Sequence, residues 1–220
     1  MKRYDDFLVE RLVIPPLGEN TYILWDGDSK EGYVIDPGGS VDEIIKIIKR
    51  EKIKIKKIIA THGHYDHLMG VAELKNILKI PFAMHKEGEA FCNVLKSFAA
   101  MFGKEESEIE TPVIDEDLQE GMVLPLGSHK MKVLYAPGHA PGHICLYLPP
   151  VIFVGDVIFK GSIGRTDFPG GSTETLMKNI TNKLLVLPDD TVVLSGHGPE
   201  TTIGIEKMTN PFLTGHARLK

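Results

Sequence analysis

Four short apolar runs in this 220-residue chain each end on a side chain that can hold a cation. KKIIA leads through Thr61 to His62, KVLYAPG runs into His139, VIFVG into Asp156, and TVVLSG into His197. Each run is too short for a helix and rich in β-branched residues, the composition of a buried strand. Neighbouring strands that end this way deliver their terminal residues to one rim, and open α/β sheets place their sites outside the carboxyl ends of strands. The recurrence therefore calls for a sheet-centred fold with its site along an edge.

The first of these runs feeds THGHYDH, which packs His62, His64, Asp66 and His67 into residues 61–67. In a helix, residues two apart point about 200° apart, so His62 and His64 could not share an ion there. In an extended segment alternate residues share a side, which groups His62, His64 and Asp66. His67 breaks the alternation as a helix begins and is free to face a second centre. Imidazoles and carboxylates without a cysteine suit a catalytic rather than a purely structural metal, with zinc, iron or manganese all compatible. Together with His139, Asp156 and His197 these donors exceed the needs of one tetrahedral ion and fit two, with one carboxylate shared.

The rest of the chain reads as strands and helices in alternation. FLVERLVI, NTYILW and GYVID form early strands, the last closing on Pro37-Gly38-Gly39. Ser40 and Glu43 have capping-box spacing ahead of Ile44, Ile45, Ile47 and Ile48. LMGVAELKNIL predicts a second helix, and residues 87–102 a third, with Phe91, Val94, Leu95, Phe98 and Phe102 on one face. Strands are expected near 122–126, 131–135, 144–148, 151–154 and 191–194, with a helix near 173–186. Residues 1–220 are expected to form one domain with helices outside β-sheet layers.

Composition narrows the partners. A net charge of −5 lacks the basic footprint of a nucleic-acid binder. No apolar run nears the roughly 20 residues needed to cross a bilayer, and MKRYDDFLVERL does not have the form of a signal peptide. Cys92 and Cys145 are read as reduced, and the chain as a cytoplasmic enzyme acting on a small molecule. Eight acidic side chains within residues 105–120 read as a solvated connector. Nothing in the sequence fixes an oligomeric state.

The order His-x-His-x-Asp-His, then a histidine, an aspartate and a final histidine, resembles the metallo-β-lactamase superfamily. APGHAPGHICLY, FVGDVIFKGSIGRTDFPGG and SGHGPETTIGIEKMTNPF are similar to hydroxyacylglutathione hydrolases (glyoxalase II) and their short relatives. The resemblance implies an α/β fold, a four-layer αββα sandwich. It implies that His62, His64 and His139 hold one divalent ion, that Asp66, His67 and His197 hold a second, and that Asp156 bridges both. Zinc is the first choice of metal. The helical domain of full-length glyoxalase II has no counterpart after His197. Where those enzymes carry a lysine and a tyrosine that contact glutathione, this chain has Arg165 and Asp167.

The activity implied is hydrolysis of an acyl-thiol by a hydroxide shared between two ions about 3.5–4 Å apart, oriented by Asp66. A thiol leaves as thiolate without a dedicated acid, its pKa being about 8.5, and Arg165 is placed to bind a substrate carboxylate. The alternatives are a glutathione-persulfide dioxygenase with a single iron on His62, His139 and Asp156, and a lactonase or other ester hydrolase. His143 is expected to be structural or to hold a ligand through its other nitrogen. His85 and His129 are expected on the surface or in loops and His216 in the tail. Tyr65 is expected to pack outward, and the aromatic segment 87–102 to be core rather than pocket wall.

Overall fold

The computed structural model describes residues 1–217, and the backbone alone of residues 101 and 102. The first sheet is β1 (Lys2–Tyr4), β2 (Phe7–Ile14), β3 (Glu19–Asp26), β4 (Glu31–Ile35), β5 (Lys54–Ile59), β6 (Phe82–Met84) and β7 (Glu116–Asp117), in that spatial order. The second contains β8 (Val123–Leu126), β9 (His129–Tyr135), β10 (Ile144–Leu148) and β11 (Val151–Gly155). A small separate hairpin, β12 (Ile158–Phe159) with β13 (Ser162–Ile163), interrupts the succession before β14 (Val192–Ser195) and β15 (Thr201–Thr202). The second sheet runs β15-β14-β11-β10-β9-β8.

Strand alternation builds the layers. On β3, Tyr22 and Leu24 face the second sheet, where Leu146 and Phe153 meet them. Ile23 and Trp25 face the other way, onto α1 (Val41–Glu51), α2 (Tyr65–Leu68) and α3 (Val71–Leu78). A sheet covered on both sides is buried along its whole length, as β3 is. The outer face of the second sheet, carrying Cys145, Ile152 and Val154, packs on α5 (Thr173–Asn179) and α6 (Ile203–Thr209), with α4 (Glu89–Val94) on the opposite side of the molecule. Helix, sheet, sheet, helix is the αββα sandwich.

Several local expectations need correction. Ser40 does not cap α1: its backbone is left-handed (φ 48°, ψ 41°) and its side chain makes no capping bond. An N-cap hydroxyl reaches the helix from extended backbone, which the turn after Asp36 denies it. The third helix is not continuous. α4 ends at Val94 and the chain goes on as 3₁₀ turns over Leu95–Phe102, with Cys92, Leu95 and Ala99 buried; the side chain of Phe102 lies outside the described residues. The helix near 173–186 is α5 followed by a π turn over Ile180–Leu184. The acidic stretch is more than a connector, since β7 adds an edge strand and Asp115 accepts the Phe82 N–H. Cys92 and Cys145 are both buried and free. No helix among the described residues is long and apolar enough to cross a membrane.

Candidate metal centre

β5, β9, β11 and β14 end along one rim. β10 is antiparallel to both β9 and β11, and β11 is parallel to β14, so the carboxyl ends of those three strands coincide. The sheets are stitched there by Ile144 N–H to Thr61 O at 2.8 Å and Asn20 N–H to Gly196 O at 2.7 Å. His62 and His64 follow β5, His139 follows β9, Asp156 follows β11, and His197 follows β14.

All seven donors that the sequence singled out meet at this rim. Among these seven, three sets have ligand atoms within 4.8 Å of one another: His62, His64 and His139; Asp66, His67 and His197; and His62, His67 and Asp156; His67 also stands in a fourth set with Glu19 and Asp36. The grouping by alternation was half right. His64 is extended (φ −66°, ψ 147°), but α2 begins at Tyr65, so its first turn swings Asp66 away from His62 and toward His197. Asp66 Oδ2 lies 3.1 Å from His197 Nε2. Asp156 spans the groups: Oδ1 is 3.5 Å from His67 Nε2, and Oδ2 is 3.5 Å from His139 Nε2 and 3.7 Å from His197 Nε2.

Hydrogen bonds behind the rings fix which nitrogens face inward. Asp36 accepts from Thr61 N–H at 2.6 Å and Thr61 Oγ1–H at 2.7 Å. With its proton spent, the Thr61 hydroxyl accepts from His62 Nδ1 at 3.1 Å. His139 Nδ1 donates to the Arg165 carbonyl at 2.7 Å, and His67 Nδ1 stands 3.1 Å from Asp36 Oδ2. The Nε2 lone pairs of His62, His139 and His67 therefore point into the site, the arrangement by which second partners orient metal-binding imidazoles. His64 presents Nδ1 instead, 3.1 Å from His62 Nε2 and 2.9 Å from His139 Nε2.

These contacts test whether the residues fit a metal. His64 Nδ1 carries at most one proton, so it cannot satisfy both lone pairs that converge on it. A tetrahedral ion bonded at about 2.0–2.1 Å holds its ligand nitrogens about 3.3 Å apart, a few tenths of an ångström beyond these separations. His67 Nε2 and Asp156 Oδ1 are buried and face each other without a hydrogen bond, an arrangement that native interiors avoid unless something else satisfies it. The donors fit a pair of cations.

Protonation favours the same reading. Burial pushes the His62 imidazole well below its ordinary range, lowers His139 and brings His64 down to about 4. Burial opposes ionisation of Asp156 and Asp66, yet His67, foremost among their neighbours, holds both carboxyls low. His67 and His197 are the exceptions: burial disfavours their charge, but Asp156, Asp66 and Asp36 raise His67 well above the usual imidazole range, and Asp66 and Asp156 raise His197. Neutral imidazoles and ionised carboxylates are the forms that bind metal, and the concentrated negative charge around His67 is what a cation would neutralise.

Asp36 and Thr61 were not picked out as site residues in the sequence. Asp36 ends β4 in VIDPGG, so a strand-end carboxylate was its one available signal. His143 is fully buried, accepts the Asp156 N–H at Nε2 (3.1 Å) and stacks on His62. Its expected role as a support for a ligand matches this placement. His85 lies in a loop, as expected, but is buried there, and His129 opens β9, half-buried against Phe7; His216 is exposed. Gly196 is required by close approach, because a Cβ there would stand 2.2 Å from Asp156 Oδ1.

A cavity of about 370 Å³ opens over the donors, walled by Leu17, Tyr65, Phe159, Ile163 and Phe168, with Arg165 at its edge. Tyr65 lines it rather than packing outward, stacked on Phe98 at 4.1 Å. The segment 87–102 thus serves both core and site: Cys92, Leu95 and Ala99 are interior, while Phe91 meets His64 edge-on at 5.4 Å.

Residues 14–197 match the family described as the metallo-beta-lactamase superfamily. A protein of Haemophilus influenzae named hydroxyacylglutathione hydrolase GloC is 39% identical over 93% of this chain and 97% of its own length. The crystal structure of BLEG-1, described as a B3 metallo-beta-lactamase, superposes with a TM-score of 0.85 at 37% identity, covering 94% of this chain and all of that one (100%). TTHA1623, solved in a di-iron-bound form, gives a TM-score of 0.82 at 35% identity over 93% of this chain and 100% of that one.

Proposed function

The chain belongs to the metallo-β-lactamase superfamily, and on that footing we propose that it is a metal-dependent hydrolase that cleaves a thioester of the hydroxyacylglutathione type. The observation that carries this reading is the pair of donor groups joined through Asp156. His62, His64 and His139 would hold one divalent ion, Asp66, His67 and His197 another, and Asp156 would serve both. Two such ions supply Lewis acidity and a water acidic enough to serve as nucleophile near neutral pH; zinc suits the donors, and iron or manganese is compatible.

The remaining steps fall to the protein. Asp66, a carboxylate held at the wall of the cavity, would orient an attacking water by accepting a hydrogen bond from its O–H. Phe168, Ile163 and Tyr65 pack the acyl group and exclude bulk water, which strengthens every charge interaction inside. The acids and imidazoles lining the cavity all belong to the two donor groups. Among the described residues no carboxyl or imidazole outside those groups lines the cavity to protonate the leaving group, which favours one that departs as an anion, as a thiolate of pKa about 8.5 does. The 39% identical relative named as a hydroxyacylglutathione hydrolase supports the same substrate class.

The test is metal analysis of the purified protein, with rates on acyl-glutathiones, other acyl-thiols, a lactone and a β-lactam. Thioester cleavage, abolished by a chelator and restored by metal, is expected. Turnover of the lactone or β-lactam alone would move the substrate class. One iron per chain with oxygen uptake on a persulfide would replace the hydrolase reading with a dioxygenase.

A further inference from the structure

Glu19 opens β3 with its side chain only 1% exposed, and it belongs to neither of the two donor groups at the rim. Three contacts nevertheless set it behind the group of Asp66, His67 and His197. Its backbone pairs with that of His197 in an isolated antiparallel bridge. Its carboxyl Oε1 stands 4.0 Å from His67 Nδ1. Gly38 fills the space between Glu19 and Asp66, where a Cβ would stand 2.6 Å from Glu19 Oε2 and 1.9 Å from the Asp66 carbonyl oxygen. All three donors of this second group are thus braced against one residue. The first group takes its support elsewhere, from the Thr61 hydroxyl behind His62 and the Arg165 carbonyl behind His139.

Hydrogen bonding behind His67 is incomplete without Glu19. Asp36 Oδ2 comes within 3.1 Å of His67 Nδ1, but that oxygen already accepts the Thr61 hydroxyl, and Oδ1 accepts the Thr61 N–H. Among the described residues no aligned hydrogen bond reaches His67 Nδ1 and none reaches Glu19 Oε1, although both atoms are buried. A buried donor and a buried acceptor side by side are groups that native interiors pair. Glu19 Oε2 lies 3.0 Å from Thr21 Oγ1, which leaves Oε1 as the oxygen turned to the imidazole. Resting on the two-ion part of the proposed function and not on its thioester substrate, we propose that Glu19 is a positioning residue of the second centre. Its Oε1 accepts the Nδ1–H of His67 and so aims Nε2 at the ion held with Asp66 and His197, as outer partners do for metal-binding imidazoles. The role needs an oxygen acceptor at this place, and the charge of Glu19 does not enter it.

Zinc titration of the metal-free full chain, followed calorimetrically in competition with a calibrated chelator, reads the two centres apart. His197→Ala identifies the step that belongs to the second. Glu19→Met and Glu19→Ala remove the acceptor with and without keeping the side chain's bulk, and thermal unfolding of the metal-free variants shows which are folded. Either is expected to weaken the second step by about 10- to 100-fold, the usual effect of removing a group that orients a ligand. The first step should move less than about twofold, as expected of a site that shares no partner with Glu19. Glu19→Gln keeps an oxygen acceptor and is expected to restore the second affinity. Equal weakening of both steps, an unchanged second step, or Glu19→Gln as weak as Glu19→Met would overturn the proposal. A lower unfolding temperature with both affinities intact would leave Glu19 a packing residue. Uptake of a single zinc by the unmutated protein would remove the two-ion reading and this inference with it, whereas two zincs and no shift on substitution would remove this inference alone.

Discussion

The imidazole of His143 lies nearly flat on that of His62, with centroids 4.6 Å apart and planes 17° from parallel. The same ring accepts the backbone N–H of Asp156 at 3.1 Å. One buried side chain thus fixes a donor that follows the first sheet and a donor that follows the second. His143→Ala is expected to weaken metal binding by about 10- to 100-fold, the usual effect of removing a group that orients a ligand. Competition against a calibrated chelator measures it, alongside thermal unfolding of the metal-free protein. A fall in unfolding temperature with unchanged metal affinity would reduce His143 to a packing residue.

Gly196 separates Asp156 from His67. A Cβ at this position would stand 2.2 Å from Asp156 Oδ1 and 2.7 Å from His67 Cε1. Gly196→Ala should therefore fold and yet displace both donors, lowering turnover on the order of 10²-fold, as ångström-scale misplacement does. The bound metal per chain should fall with it. Retention of full metal content and rate would contradict the close approach.

Acid should empty the two donor groups separately. Protons compete with metal for each imidazole. Burial lowers His62, His64 and His139, with His64 near 4, so protons displace their ion only well below the ordinary imidazole value of about 6.5. Burial alone would lower His67 and His197 too, but Asp156 and Asp66 raise both, so protonation there begins above that value. As pH falls, the ion on Asp66, His67 and His197 is expected to leave first. Equilibrium dialysis against pH should show two steps, and loss of both ions in one step would refute the ordering.

Glu206 ties the last described helix to the cavity wall. Its Oε1 accepts from Thr201 Oγ1 at 2.6 Å, and its Oε2 from Gly161 N–H at 2.9 Å and Asn210 Nδ2 at 2.8 Å, and the Glu206, Thr201 and Asn210 side chains are buried. Gly161 is the turn between β12 and β13, which carry Phe159 and Ile163 of the cavity. Glu206→Ala leaves buried donors unpaired and should destabilise the protein by about 3 kcal/mol or more, read by denaturant unfolding. KM should rise as the hairpin loosens, and Glu206→Gln, which keeps one acceptor, should recover part of both. Unchanged KM in a destabilised Glu206→Ala protein would confine the carboxylate to a structural role.

The donor residues were legible because few side chains bind cations and these stand where apolar β-branched runs stop, a pattern that survives without coordinates. His139, Asp156 and His197 are far apart in the chain yet share that signature. Asp66 was assigned by alternation to the wrong neighbours, since the alternation stops at Tyr65, where α2 begins. Asp36 and Thr61 carry no periodic signal at all. Each is one buried polar residue whose meaning lies in a partner from another strand. Ser40 failed as a cap for a related reason, its spacing being right and its backbone left-handed.

By itself, then, the sequence determined the superfamily, the candidate donors and the layered sheet architecture, because residue type and strand alternation are local properties of a chain. Tertiary structure decided which candidate donors stand together, which nitrogen His139 turns to the Arg165 carbonyl, and that Asp167 pairs with Arg165. Those outcomes depend on hydrogen bonds and charges between residues distant in sequence or on the path of a loop, and neither is encoded in residue spacing.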